Sequence, residues 1–415
     1  MTSLRILAVS HRYPPYVAGG YELRTRDVVE GLRKRGHQVC VLTGRGSELE
    51  GQDGLCPVLK PDLDETDNWF QHSFDTSNAE RFQLHFFRFA NWMATRSAIS
   101  RERPDLLLYF NLSMLSLAPV LAARHLSVPT LGDVSDPWPL NHWVLAWRER
   151  EEGQGRSTAG RRALEQAWRG FRALADLGPM LVPSEYLKER FAADGISADE
   201  VRVMPTAVSP ESFPVPDRAE PLPRTEGDPL RILSTSSFWT GKAVHVLVEG
   251  AIAALRRGCP LELVLAGDGD PDYKAELVER VRASGFTEQI RFAGTLTRDQ
   301  IAEELGRSHI FGFPSAWGEP FSRATLEAMS HAVCVLARNA GANPEQVRHA
   351  EDGWLVDSED PEEWAEAIEA LARDEGRRAS LARAGRRRFV EEYDFERYLD
   401  AYEAACHEAV AGGAR

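Results

Sequence analysis

The stretch Glu319–Met329, E-P-F-S-R-A-T-L-E-A-M, follows an apolar run at residues 310–313 and is rich in alanine, leucine and glutamate. A short apolar run before a segment of helical period predicts a strand, a loop and a helix. Pro320 is placed at the helix start, where its missing N–H costs nothing, and Glu319 falls in the loop. Glu327 comes about two turns later, which puts roughly 10–12 Å between the carboxylates at 1.5 Å per residue.

The start of this predicted helix is suited to hold an anion. Its first backbone N–H groups have no partner within the helix, and the helix dipole is positive at that end. We therefore predict that Pro320, Phe321, Ser322 and Arg323 line an anion site. With an acid on either side, the stretch fits a ligand that has sugar hydroxyls at both ends and phosphate in the middle, as a nucleotide-sugar has. Two solvent-exposed glutamates near a helix end are the alternative interpretation.

Strands alternate with helices along both halves of the chain. Apolar and β-branched runs predict strands over residues 4–10, 38–43, 106–110, 128–132, 180–183, 230–235, 261–266, 290–292, 309–313, 333–336 and 354–356. Helices of 10–15 residues between such strands imply parallel sheets that are covered on both faces. Residues 49–100 carry no pattern from which we predict an element.

Length and composition predict two domains. A chain of 415 residues exceeds the size at which a single core keeps growing. Residues 216–229, rich in proline and acidic side chains, are predicted to link an N-terminal domain of residues 1–215 to a C-terminal domain of residues 230–390.

Charge and cysteine content exclude several classes of protein. A net charge of −14 argues against nucleic acid as a partner. The five cysteines are scattered and lack C-x-x-C spacing, so we expect a reduced, cytoplasmic protein without a structural metal site. No apolar run approaches the length of about 18 residues that a membrane span needs.

Glu319 and Glu327, followed by Ala-Met, resemble the donor-site motif of the retaining family-four glycosyltransferases of the GT-B fold (glycosyl transferases group 1). The resemblance implies two Rossmann-like, doubly wound parallel-sheet domains facing a central cleft, with a C-terminal helix at about residues 391–415 crossing back to the N-terminal domain. It also implies metal-independent transfer from a UDP-sugar or GDP-sugar to an acceptor hydroxyl, on the same face of the sugar. By this resemblance, Glu319 contacts the transferred sugar and Glu327 holds the ribose.

Two loops match the family's diphosphate contacts in part. Gly19 and Gly20 stand in P-P-x-x-x-G-G-x-E, where glycines let the backbone approach a phosphate, although a plain turn is the alternative. Lys242 matches the lysine of the family's G-R-x-x-x-x-K-G, and a cation there suits the growing charge of a leaving diphosphate. Ser237 takes the place of the family's arginine, so the missing contact would come from Ser237 itself or from Arg323, for which a solvent-exposed surface position is the alternative.

Gly267 opens the sequence G-D-G-D after the strand at residues 261–266, and we assign it to the nucleotide-sugar site. Asp268 and Asp270 form a D-x-D pattern, which binds metal in the other glycosyltransferase fold. Its position after a strand matches an ordinary GT-B loop, so we predict no metal site.

The loop D-V-S-D-P-W, which includes Ser135 and Asp136, is a candidate for catalysis. Many members of the family carry a His-Asp pair here, with a tryptophan two residues after the aspartate. Asp136 and Trp138 match, while Ser135 stands in place of the histidine, whose contact is then absent or supplied by His11 or His142. An Asp-Pro turn beside a packed tryptophan is the alternative interpretation.

Two segments bear on the acceptor, which the family resemblance leaves open as a small molecule, a glycan or a lipid-linked compound. Residues 81–103 mix aromatic with basic side chains, and residues 156–172 are strongly basic. Such segments can lie on an anionic membrane, here at the inner face, or can pack in a core and face water. A sugar-nucleotide epimerase and a non-catalytic partner protein remain alternatives to a transferase.

Overall fold

The structure is a computed structural model that describes residues 2–15, 19–44, 54–59, 87–113, 115–140, 166–167, 169–173, 175–217, 219–225 and 227–413. The chain divides into two compact units. The first comprises Met1–Met204 with Leu399–Arg415, and the second comprises Pro205–Tyr398. Each unit contains one parallel sheet, which confirms the predicted α/β class with two doubly wound sheets.

The first unit has a sheet of seven strands in the order β3-β2-β1-β4-β5-β6-β7. The strands are β1 (Arg5–Ser10), β2 (Gln38–Gly44), β3 (Leu55–Leu59), β4 (Leu106–Tyr109), β5 (Thr130–Asp133), β6 (Met180–Val182) and β7 (Val201–Val203). Helices that accompany them are α1 (Gly20–Lys34), α2 (Phe89–Glu102), α3 (Ala118–His125) and α4 (Glu185–Ala193).

The second unit has a sheet of six strands in the order β10-β9-β8-β11-β12-β13. The strands are β8 (Leu230–Thr235), β9 (Leu261–Ala266), β10 (Ile290–Gly294), β11 (Ile310–Phe313), β12 (Cys334–Arg338) and β13 (Trp354–Val356). The helices are α5 (Val244–Arg256), α6 (Pro271–Ser284), α7 (Arg298–Gly306), α8 (Arg323–Ser330), α9 (Asn343–Gln346), α10 (Pro361–Arg373) and α11 (Glu375–Glu392), and α12 (Phe395–Gly413) follows them.

Each sheet has one point where the order of strands reverses. In the first unit it lies between β1 and β4, and in the second between β8 and β11. Loops at the carboxyl ends of the strands diverge there, which makes this the usual ligand site of an open parallel sheet. The loops after β8 and β11 contain Lys242 and Glu319, the two charged residues predicted to contact the leaving diphosphate and the transferred sugar.

Apolar strands and close helix packing form the cores of the units. All four residues of β4, L-L-L-Y, are fully buried, as expected for a central parallel strand covered on both faces. In the second unit, α5 and α10 approach closely at Gly250, where an added Cβ would lie 2.7 Å from the Cβ of the buried Trp364. Each strand predicted from the sequence overlaps an observed strand, whereas β3 and β7 were not predicted.

The segment at residues 216–229, predicted as a linker, lies within the second unit. Arg224 anchors it there: its Nη1 donates to the carbonyl of Ala372 at 2.7 Å, and its backbone N–H donates to Glu375 at 2.9 Å. The chain leaves the first unit after Met204 and rejoins it at Leu399.

The returning part of α12 is fixed to the first unit by polar and apolar contacts. Leu399 packs against Gly31 of α1, where an added Cβ would lie 2.6 Å from the leucine methyl. Tyr402 is fully buried and donates its hydroxyl to Asp133 at 2.9 Å. Glu403 lies 3.3 Å from the Arg35 guanidinium and 3.2 Å from His37 Nε2. Residues 399–413 are therefore part of the core and of the ion-pair network of this unit.

Three predictions fall in part on residues that the structure does not describe. These residues are 81–86, His142, 156–165 and 168. Among the residues that the structure describes, no helix is long and apolar enough to cross a membrane.

Tyr402→Phe is expected to lower the free energy of unfolding by about 1–3 kcal/mol, because it leaves the buried Asp133 carboxylate short of one hydrogen bond. Glu408→Gln on the same helix is the matched control, since its ion pair with Arg202 is more than half exposed and such pairs contribute about 1 kcal/mol or less. Urea unfolding at constant pH measures both. Equal effects of the two substitutions would contradict the burial of the Tyr402–Asp133 contact.

Candidate active site

Lys242 and Glu319 form an ion pair at the switch point of the second sheet. Lys242 ends a short 3₁₀ turn after β8, and Glu319 lies in the loop between β11 and α8. Because β8 and β11 are parallel neighbours, their carboxyl ends bring the two loops to the same edge. The side chains are 19% and 10% exposed, so water screens the pair only in part.

The Glu319 carboxylate is oriented through one of its oxygens. Oε1 accepts hydrogen bonds from the Lys242 ammonium and, at 3.0 Å, from the hydroxyl of Ser315. Among the described residues, none donates to Oε2. The ion pair thus fixes the side chain and leaves one carboxylate oxygen available to a ligand hydroxyl.

Backbone contacts join the two loops into one framework. The carbonyl of Gly241 accepts from the N–H groups of Ala316 at 3.0 Å and Trp317 at 3.1 Å. The rings of Trp239 and Trp317 meet edge to face at 5.8 Å. The positions of Lys242 and Glu319 are therefore coupled through the main chain as well as through their charges.

The loop after β12 supports Glu319 from the other side. Gly341 has a φ of +60°, and a Cβ at this position would lie 2.6 Å from both the nitrogen and the oxygen of Glu319. The next residue, Ala342, donates its N–H to the carbonyl of Glu319 at 2.8 Å. Only glycine allows this approach together with a left-handed backbone.

The start of α8 is fixed by Ser322 and Gln346. The Ser322 hydroxyl caps the helix by accepting from the Thr325 N–H at 3.2 Å. The fully buried Gln346 accepts from the Ser322 N–H at 2.6 Å and donates to the Ser322 carbonyl at 2.8 Å. Of the residues predicted to line the anion site, Ser322 is thus held by both its side chain and its backbone.

Glu327 lies on α8 with its side chain 3% exposed and next to two guanidinium groups. Arg298 at the start of α7 pairs with its Oε1, and Arg323 Nε lies 3.4 Å from the same oxygen. Arg323 also donates to the hydroxyl of Ser212 at 2.7 Å. The second acid of the motif is therefore a buried carboxylate with two cations beside it, and its predicted contact with a ribose stays a prediction.

Ser237 and Gly267 lie in the neighbouring loops after β8 and β9. Ser237 is exposed, and Ser236 donates its hydroxyl to the Ser237 carbonyl at 2.9 Å. Gly267 has a φ of +136°, and a Cβ there would lie 1.8 Å from the Ser236 carbonyl oxygen. Gly267 thus allows the two loops to touch, and its predicted contact with a ligand is not tested by this geometry.

The carboxylates of the D-x-D pattern have separate protein partners. Asp268 pairs with Lys274 at 3.0 Å. Asp270 caps α6 by accepting from the N–H groups of Asp272 at 2.9 Å and Tyr273 at 3.0 Å. Both side chains are therefore explained by the local structure of the helix start.

In the first unit, Gly19 and Gly20 stand at the start of α1, after β1. Glu22, 4% exposed, accepts from the Gly19 N–H at 2.9 Å, so this amide is already bonded within the chain. His11 Nε2 lies 3.8 Å from the Glu22 carboxylate. Burial, together with the Arg12 charge, lowers the pKa of His11 to about 4, which leaves the imidazole neutral near pH 7.

Asp136 lies after β5 and is held by neutral donors. Its oxygens accept from the Asn111 side chain at 3.0 Å and from the Trp138 N–H at 2.8 Å. Burial, together with the negative charge of Glu22, raises the pKa of Asp136 to about 7 and outweighs the hydrogen bond from the Trp138 N–H. At neutral pH it can therefore either hold or release a proton. The hydroxyl of Ser135 is buried and has no hydrogen-bond partner among the described residues.

Three residues that the sequence did not identify support the predicted ones: Ser315 beside Glu319, Gln346 beside Ser322, and Asn111 beside Asp136. Ser315 and Asn111 each come within two residues of the end of a strand, a position that could have marked them. Gln346 is recognised only by its contacts.

Solved structures share the fold of this chain. The structure of Anabaena HepE in complex with UDP-glucose has a TM-score of 0.70 at 17% identity and covers 98% of this chain and 100% of that chain. Sucrose-phosphate synthase from Thermosynechococcus elongatus has a TM-score of 0.71 at 18% identity and covers 99% and 100%. These similarities and the two doubly wound sheets define the GT-B fold.

Family models match both units. The model described as "Glycosyl transferases group 1" matches residues 220–388, and the "Glycosyl transferase 4-like domain" matches residues 19–207. The chain belongs to the group 1 glycosyltransferases, as the resemblance of the Glu319–Met329 stretch predicted.

Curated relatives match over part of their length. The D-inositol 3-phosphate glycosyltransferase of Salinispora tropica is 32% identical over 179 residues, which cover 40% of this chain and 36% of that protein. The GDP-mannose-dependent alpha-(1-6)-phosphatidylinositol monomannoside mannosyltransferase of Mycobacterium tuberculosis is 26% identical over 216 residues, which cover 49% and 54%. The match spans about a third to a half of the length of these relatives.

Gly341→Ala is expected to destabilise the protein by on the order of 3 kcal/mol, because the methyl group collides with the Glu319 backbone in addition to straining φ. Gly294→Ala is the matched control: its φ is +69°, but an added Cβ meets nothing within 4 Å, so about 1 kcal/mol of strain is expected. Thermal unfolding compares the two. A control as damaging as Gly341→Ala would contradict the role given to this contact.

Proposed function

We propose that this protein is a retaining glycosyltransferase that moves a sugar from a UDP-sugar or GDP-sugar to an acceptor hydroxyl without a metal ion. The observation that carries the proposal is the Lys242–Glu319–Ser315 arrangement at the switch point of the second sheet. It combines a cation for a leaving diphosphate with an oriented carboxylate oxygen for the hydroxyls of the transferred sugar.

In the proposed reaction, the bond between the anomeric carbon and the diphosphate oxygen breaks, and the acceptor oxygen bonds to the same face of that carbon. The acceptor proton passes to the departing phosphate oxygen, so that no separate base is needed. Negative charge grows on the diphosphate as its bond breaks, and the Lys242 ammonium stabilises it in a partly desolvated site. The start of α8 adds its positive dipole end near Ser322.

Glu319 orients the sugar through Oε2, because its other oxygen is held by Lys242 and Ser315. Glu327 is proposed to hold the ribose hydroxyls, with the guanidinium groups of Arg298 and Arg323 beside its carboxylate. These two arginines are proposed to supply positive charge to the nucleotide, because Ser237 stands where the family has an arginine.

In the first unit, we propose that Asp136 contacts the acceptor or the reacting sugar. Its pKa of about 7 lets it accept a hydrogen bond from a hydroxyl as a carboxylate or donate one as an acid. Gly19 and Gly20 are proposed to approach the diphosphate. The Gly19 N–H would then donate to a phosphate oxygen in place of the Glu22 carboxylate.

The acceptor class is proposed from the relatives, whose names specify D-inositol 3-phosphate and a phosphatidylinositol monomannoside. Both compounds offer ring hydroxyls next to a phosphate group. We propose an acceptor of this chemistry, free or lipid-linked, and contact with a membrane surface applies only to the lipid-linked form.

The reaction is tested with UDP-glucose, GDP-mannose and related donors, without added metal, and with inositol phosphates and phosphatidylinositol lipids as acceptors. The expected result is a product whose anomeric configuration, measured by proton NMR, equals that of the donor. An inverted product would contradict the proposed mechanism. A donor converted to its epimer without acceptor would favour an epimerase, and failure to bind any nucleotide would favour a non-catalytic partner protein.

Lys242→Gln is expected to lower kcat by about 10²–10³-fold, because a neutral side chain cannot stabilise the growing diphosphate charge. Lys274→Gln is the matched control in the same unit, since Lys274 pairs with the exposed Asp268 and not with Glu319, and its kcat should stay within about twofold. Release of nucleoside diphosphate measures both. Similar rates for the two variants would remove Lys242 from the reaction.

A further inference from the structure

Two of the five cysteines meet on neighbouring strands of the first sheet. Cys40 lies on β2 and Cys56 on β3, and their sulfur atoms are 3.4 Å apart. Cys56 is in register with Leu42, so Cys40 lies two residues earlier on the same face of the parallel pair. Both side chains are partly exposed, and small reagents can therefore reach them.

The two thiols differ in their surroundings. Arg101, on α2, donates from Nη2 to Cys56 Sγ at 2.9 Å and from Nε to the carboxylate of Glu102 at 2.6 Å. A guanidinium next to a sulfur stabilises negative charge on it. Burial and the hydrogen bond with Cys56 raise the pKa of the Cys40 thiol to about 12. The hydrogen bond from Arg101 favours Cys56 as the attacking sulfur, and the Cys40 thiol is the protonated partner beside it.

The same cluster could hold a metal ion only by displacing a cation. Cys40, Cys56 and Glu102 bring two sulfurs and a carboxylate within 4.8 Å of one another. However, the Arg101 guanidinium already bridges Cys56 and Glu102 and neutralises the charge that a metal would need. The arrangement favours thiol chemistry over metal binding.

We propose that Cys40 and Cys56 form a redox-active dithiol that exchanges with small-molecule disulfides and closes to a disulfide between β2 and β3. The sulfurs need to approach from 3.4 Å to the bond length of about 2.05 Å. The site is independent of glycosyl transfer, because it lies on the β3 side of the first sheet and uses none of the residues proposed for the reaction.

The exchange proceeds in two balanced steps. The Cys56 thiolate attacks one sulfur of the external disulfide, the external S–S bond breaks, and one external thiolate leaves and takes up a proton. Cys40 then loses its proton to solvent and attacks Cys56 Sγ, and the second external thiol leaves. In total, two protein thiols are oxidised to one disulfide, and one external disulfide is reduced to two thiols.

The remaining cysteines provide internal controls. Cys334 and Cys406 are buried, whereas Cys259 is partly exposed in the second unit. None of these three has a sulfur partner among the described residues. They are therefore expected to react slowly and without forming an intramolecular bond.

The test treats the reduced full-length protein with glutathione disulfide, blocks the remaining thiols, and maps the peptides by mass spectrometry. The wild type is expected to lose two hydrogen atoms and to give a linked peptide that contains Cys40 and Cys56. Cys40→Ser should retain glutathione on Cys56, because no second thiol can displace it. Cys259→Ser should behave as the wild type.

Arg101→Gln should slow the reaction of Cys56 by about tenfold, while Arg101→Lys should retain part of the rate because it keeps a positive charge. Thermal unfolding under reducing conditions checks that each variant is folded. The wild-type peptide map tests the proposal even if a variant does not fold. Absence of the Cys40–Cys56 peptide would overturn the proposal. So would stoichiometric zinc binding by the reduced protein that both Cys40→Ser and Cys56→Ser abolish.

Discussion

The ion pair of Lys242 and Glu319 constrains three loops at the carboxyl ends of the strands in the second sheet. Two partly desolvated charges are stable there only as a pair, so the loops after β8 and β11 must keep them together. The rest of the edge follows from this requirement. Gly241 joins the two loops by its carbonyl, and Gly341 lets a third loop press against the Glu319 backbone. These contacts restrict the conformations of the three loops and fix the direction of the Glu319 carboxylate.

Acids at the strand ends of the two units are held in opposite ways. Glu319 has an ammonium group beside it, whereas Asp136 receives only neutral hydrogen bonds from the described residues, and burial raises its pKa to about 7. Two similar side chains are thereby placed in different electrostatic surroundings. The difference lies in the neighbours, since Asn111 takes the place that a lysine occupies beside Glu319.

Local sequence sufficed to predict the sheets but not all of the site. Central strands such as β4 are continuous apolar runs, and Glu319 and Glu327 have a fixed separation along the chain. Both features can therefore be recognised in the sequence alone. β3 was missed because Pro57 breaks the strand pattern in the sequence, and β7 because its three residues, V-R-V, have a charged residue at the centre and form no apolar run. The meeting of Cys40 with Cys56, and of Gln346 with Ser322, depends on strand register and loop packing, which no local pattern encodes.

The first unit is discontinuous in sequence, because residues 399–413 of α12 supply part of its core. On the ribosome, the chain emerges from its N-terminal end, so the second unit is synthesised between the two parts of the first. Until Tyr402 arrives, Asp133 lacks the hydroxyl that it accepts from, and the surface of α1 at Gly31 lacks Leu399. The N-terminal segment therefore stays incompletely packed while about two hundred further codons are translated. Its exposure to chaperones and proteases is set by the speed of translation as well as by its own stability.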